Sequence, residues 1–163
     1  MPKIEFRENK TLKLTNVLSR KVPEKEIFNQ DKQISMLMNW IKAKGHESFG
    51  PLIIYSSGIK GADAEGEPII DSRIMIQLKA SNVRIEMPYR FEREMRVPSC
   101  LLARFDGDGD KIQHAVNKLT LYAYENDIEL TGETYIVLME QQENRIFADV
   151  FMPVMTGNEG GCE

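Results

Sequence analysis

Two stretches of the chain carry helical spacing, and most of the remainder alternates. Between Pro23 and Lys44, the apolar residues Ile27, Ile34, Leu37, Met38 and Ile41 gather on one side of a helix. Pro23 suits its entrance and Gly45 its C-terminal exit. A second helix is predicted from about Asp110 to Asn126, with Ile112, Ala115, Val116, Leu119 and Ala123 along one face. Asp108 and Asp110 stand at its start, where carboxylates cap free N–H groups and oppose the positive dipole end. Alternation or short β-branched runs predict strands over 11–20, 52–57, 73–78, 83–91, 99–105, 134–140 and 145–152; Pro88 weakens the fourth. Residues 57–71 hold three glycines, a proline and five charged residues without a period, and read as a long surface loop.

The order strand, helix, strand, strand occurs twice, which points to an internal duplication. Residues 39–56 lie over 121–138 at a constant offset of 82 (121 − 39), so that Glu47 meets Glu129 and Gly50 meets Gly132. The expected organisation is one domain over 1–157, with module one at about 11–82 and module two at about 83–155. Residues 158–163 form a mobile tail with nothing to bury.

Strand alternation sorts faces. Ile146, Ala148, Val150 and Met152 point one way, beneath the second helix, while Phe147, Asp149 and Phe151 point the other. In the first module, Ile74, Ile76 and Leu78 should lie beneath the first helix, with Arg73, Met75 and Gln77 on the opposite side. A one-residue slip would reverse every assignment.

Composition narrows the class. The chain has 163 residues, 42% hydrophobic and 28% charged, with 25 acids against 21 bases and a formal net charge of −4. That is a globular composition without the basic surface that direct nucleic-acid binding needs. No apolar run approaches the roughly 20 residues of a bilayer span, and the charged start is unlike a signal-peptide core, so no membrane association is expected. Two cysteines, Cys100 and Cys162, cannot staple a chain of this size, which fits a reduced, cytoplasmic protein.

In the second half, the strand 101–106 with Arg104 and the turn at Gly107, the helix exit into Thr131-Gly132, and Asp149-Val-Phe-Met-Pro-Val together resemble the GyrI-like small-molecule-binding domains, which also serve as effector-binding domains of multidrug-responsive regulators. In the first half, Gly50-Pro-Leu-Ile-Ile-Tyr-Ser fits the corresponding strand. The resemblance covers about residues 11–155, and a stand-alone form without a DNA-binding domain is expected. The resemblance implies an α+β fold: two strand-helix-strand-strand modules forming an antiparallel sheet, with two helices on one face and a ligand groove between modules.

Asp149 is the residue that most invites function. It lies between two aromatic positions, where a partly desolvated carboxylate is a strong partner for a ligand cation and flat rings add cation–π attraction. Tyr55, Tyr135, Phe147 and Phe151 would form the walls. The competing reading is a carboxylate solvated at a strand end or bonded to a neighbouring base. The expected activity is binding of an apolar small molecule, cationic ones included, rather than catalysis. A protein-interaction or inhibitor module is the alternative, and a hydrolase of strained electrophilic small molecules, with Asp149 as general base, ranks below it.

Other motifs carry less. Asp106-Gly-Asp-Gly-Asp-Lys starts like a calcium loop, but Lys111 replaces the turn glycine and Asn117 the bidentate glutamate, so it reads as a turn and helix cap. His46 and His114 lack further ligands at metal spacing, and no cofactor fingerprint is present. Arg84, Arg90, Arg93 and Arg96, interleaved with Glu86, Glu92 and Glu94, read as a solvated connection between modules. Met36, Met38, Met75, Met139 and Met152 read as core filler.

Overall fold

The computed structural model describes residues 3–22, 30–62, 68–80, 83–87, 89–142 and 144–155. These form six strands and two helices: β1 (Lys3–Lys21), α1 (Gln30–Ala43), β2 (Ser48–Ala62), β3 (Pro68–Leu78), β4 (Tyr89–Asp108), α2 (Gln113–Glu125), β5 (Glu133–Gln142) and β6 (Arg145–Pro153). The class is α+β. Two compact units divide the chain, one spanning Lys13–Met95 and the other Met1–Leu12 with Arg96–Glu163.

Within Lys13–Met95, β3 pairs antiparallel with both β1 and β2. Within the other unit, β6 pairs antiparallel with both β4 and β5. The registers correspond. Ile53 faces Met75 as Tyr135 faces Phe151, and Tyr55 faces Arg73 as Val137 faces Asp149. Backbone conformation follows the same offsets. Gly45 (φ 75°) and Asp127 (φ 55°) leave the two helices in the left-handed region, and Gly50 (φ 78°) and Gly132 (φ 93°) lie where the following strands enter. Asn16 (φ 50°) and Ser99 (φ 57°), 83 residues apart (99 − 16), are left-handed within the strands that precede the helices. Left-handed backbone is uncommon outside glycine, and it recurs at these positions in both units.

Each helix covers one face of its own unit's sheet. Leu37 and Ile41 of α1 pack with Leu18, Ile74, Ile76 and Leu78. Ala115, Leu119 and Ala123 of α2 pack with Ala103, Phe105, Ala148, Val150 and Met152. The face assignment read from alternation therefore holds in both units.

Several boundaries differ. The expected loop 57–71 is largely hairpin: Ser57 pairs with Asp71, Ile59 with Ile69, and Ala62 with Pro68. Antiparallel pairing carries the ladder through glycine and charge, because each rung satisfies backbone groups whatever the side chain. The strand expected over 83–91 begins only at Tyr89 and continues without interruption through the 99–105 segment to Asp108. Arg90, Arg93 and Arg96 thus lie on β4, and with Arg84 they are exposed. The first helix is seen from Gln30; its expected start at 23–29 and the tail 158–163 lie outside the described residues. At the second helix, Asp108 accepts from the Asp110 N–H at 3.0 Å and caps a 3₁₀ turn at Gly109–Lys111, while α2 itself begins without a side-chain cap.

The methionines divide. Met75 and Met152 are buried, but Met36, Met38 and Met139 are exposed, contrary to a core role. On α1 the buried stripe is Gln33, Leu37 and Ile41. Gln33 stands in it because its side-chain oxygen accepts from Arg20 Nε at 3.1 Å, a buried pair that apolar periodicity does not reveal.

Candidate functional site

The sheet face turned away from α2 is built in three cross-strand rows, since residues opposite one another project to the same side. Leu102, Phe151 and Tyr135 form the first row, Arg104, Asp149 and Val137 the second, and Asp106, Phe147 and Glu140 the third. Asp149 therefore lies between Phe147 and Phe151 along β6, as alternation requires. Tyr135 and Phe151 are buried, and Phe147 is half-buried.

Asp149 is 7% exposed and meets a base. Arg104 donates from Nε to Oδ1 at 3.0 Å and from Nη2 to Oδ2 at 3.2 Å, a bidentate fork that engages both carboxylate oxygens. The hydrogen bond and negative charge of Asp149 push the Arg104 guanidinium further above its already high value. The competing reading of Asp149, a carboxylate bonded to a neighbouring base, describes its geometry here.

The third row is more open. Arg145 donates to Asp106 from Nε at 2.7 Å and Nη2 at 2.9 Å. Glu140 is exposed and takes part in no ion pair among the described residues. A bulge between Leu138 and Glu140 puts Glu140, and not Met139, opposite Phe147. That irregularity also exposes Met139. Asp106, Glu140, Gln142, Arg145, Ile146 and Phe147 line an open cavity of about 260 Å³.

Tyr55 belongs to the other unit. It is buried opposite Arg73 on the face turned away from α1, in a row with Lys21. Arg73 Nε donates to Asp71 Oδ2 at 3.3 Å, while Asp71 Oδ1 is buried with no hydrogen-bond partner among the described residues. Thus the structure brings Asp149, Tyr135, Phe147 and Phe151 onto one face of one unit and places Tyr55 on the corresponding face of the other. Sequence reasoning gave Arg104 no role at the site and missed Glu140. The fork to Arg104 follows from a β4–β6 register that sequence does not print, and Glu140 depends on the bulge. No group of three or more potential metal ligands occurs among the described residues.

No protein-family model and no curated protein matches this sequence. Solved structures do match. The EcmrR C-terminal domain is 14% identical, with a TM-score of 0.62 over 95% of this chain and 98% of that one. In the EcmrR–DNA complex the matching chain is longer: the TM-score is 0.60 at 13% identity over 94% of this chain, which spans 57% of the EcmrR chain. SAV2435, solved bound to tetraphenylphosphonium, gives a TM-score of 0.53 at 8% identity over 96% of both chains. The chain shares its fold with the EcmrR C-terminal domain and SAV2435. Among the described residues, no helix is long and apolar enough to cross a membrane.

Proposed function

We propose that this chain binds an apolar small molecule, cationic ones included, on the sheet faces turned away from its helices. Tyr135, Phe147 and Phe151 supply aromatic contacts in one unit, with Asp149 as the charge partner, and Tyr55 offers an aromatic contact on the corresponding face of the other unit. We also propose that the repeated order and register reflect an internal duplication. One observation carries the functional reading: a buried carboxylate is held between two aromatic residues on a face that its own helix does not cover. The fold shared with SAV2435, which was solved with a lipophilic cation, adds support.

Arg104 makes the reading specific. A ligand cation reaches Asp149 by competing with a guanidinium whose side chain is 43% exposed and can swing into solvent. Removing Arg104 should therefore strengthen cation binding, and removing the Asp149 charge should weaken it. A thermal-shift titration with tetraphenylphosphonium and uncharged analogues checks this. Wild type should be stabilised by the cation, Arg104→Gln more so, and Asp149→Asn less. Equal shifts in all three proteins would remove Asp149 from the site. Loss of binding of charged and neutral ligands alike in Phe151→Ala and Tyr135→Ala would support the aromatic contacts.

A further inference from the structure

The cavity beside Phe147 has a chemistry distinct from the Asp149 row. Two of its carboxylates, Asp106 and Glu140, lie on either side of the ring, because both residues pair with Phe147 across neighbouring strands. Asp106 is neutralised by Arg145 through two hydrogen bonds. Among the described lining residues, two acids against one base leave a single net negative charge, and it belongs to Glu140. At about 260 Å³, the cavity is smaller than the roughly 300–1,000 Å³ that drug-sized ligands occupy, so it suits a head group with a short stem. Most of the lining is polar. The exposed carboxylate of Glu140 and the amide carbonyl of Gln142 accept hydrogen bonds, while Phe147 gives an apolar wall.

We propose that this cavity is a binding site for a primary alkylammonium group, with Glu140 accepting its N–H bonds and the stem lying against Phe147. A quaternary ammonium has no N–H and would leave the acceptors on the wall without partners, which favours the primary amine. Phe147 can still contribute through its ring face. The inference does not depend on a cation at Asp149, whose oxygens are both engaged by Arg104.

Amide chemical shifts of the full chain, titrated with n-butylammonium chloride at low ionic strength, read the site directly. Saturable shifts are expected at Glu140, Gln142 and 145–147. Glu140→Gln, a change at an exposed position, should weaken binding by about fivefold or more, and added salt should weaken it in wild type. Asp149→Asn should leave this binding unchanged. Absence of shifts at those amides would overturn the proposal, as would an affinity untouched by Glu140→Gln. Butyltrimethylammonium binding there as tightly as butylammonium would overturn the hydrogen-bonding assignment. Loss of binding in Asp149→Asn with retention in Glu140→Gln would overturn this site while supporting the cation contact at Asp149.

Discussion

At the scale of single residues, what decides the behaviour of Asp149 and Arg104 is which of them solvent can reach. The Asp149 side chain is 9% exposed and that of Arg104 is 43% exposed. Truncating Arg104 leaves a carboxylate buried without its partner, whereas neutralising Asp149 leaves a guanidinium that can hydrate. Breaking a buried pair from the side that strands the charge is the costly direction. Arg104→Ala should therefore destabilise by about 2 kcal/mol or more, and Asp149→Asn by about 1 kcal/mol or less. Urea denaturation of the two variants checks the order, and equal losses would show that the pair is not buried asymmetrically in solution. A similar argument applies to Gln33. It is 2% exposed and accepts from the buried Arg20. Gln33→Leu adds apolar surface to α1, yet it should lower stability by about 1–3 kcal/mol because Arg20 Nε loses its acceptor. A Gln33→Leu protein as stable as wild type would contradict that reading.

At the scale of elements, the left-handed glycines offer a controlled comparison. Gly45 and Gly50 have nearly the same φ, 75° and 78°, but different surroundings. A methyl group at Gly45 meets nothing within 4 Å, whereas at Gly50 it would stand 3.0 Å from Gln77 Nε2. Gln77 cannot yield without consequence, since its Oε1 accepts from the Thr15 N–H at 2.9 Å. That bond serves a backbone donor next to the left-handed Asn16. Gly45→Ala should cost about 1 kcal/mol from backbone conformation alone. Gly50→Ala should cost about 2 kcal/mol, with a loss of amide protection at Thr15 that Gly45→Ala does not show. Thermal melts and hydrogen exchange separate the two. The face of α2 and the alternation of β3 and β6 were legible in the sequence because burial of one face imposes a period, whereas on α1 the apolar spacing took in the exposed Met38 and passed over the buried Gln33. The hairpin through 57–71, the length of β4 and the bulge beside Glu140 were not, because backbone pairing and register shifts leave no hydropathy signature. Asp149 was legible as a residue between two aromatic positions, while its fork to Arg104 awaited the register of two strands 45 residues apart.

At the scale of the whole molecule, two units of like topology share a chain of net charge −4, and each buries an apolar layer under its own helix. Their order was readable from the repeated pattern, since the offset of 82 found between 39–56 and 121–138 also relates Gly45 to Asp127 and Gly50 to Gly132 in backbone conformation. Global stability at alkaline pH should carry the mark of one buried group. Burial, helped by the charge of Glu133, pushes the Cys100 thiol from 9.0 up to about 11. The folded state therefore holds a proton that the unfolded chain has released. With fewer protons bound in the unfolded state, stability falls as pH rises. The contribution is complete below about pH 9 and disappears as pH climbs through 11. Other groups titrate in the same range, so the informative quantity is the difference from Cys100→Ala. Below pH 9 the two melting curves should run parallel, offset by the packing lost with the sulfur. Between pH 9 and 11 wild type should lose Tm more steeply, and the gap should narrow. Curves that stay parallel to pH 11 would mean that the thiol titrates alike in the folded and unfolded chains.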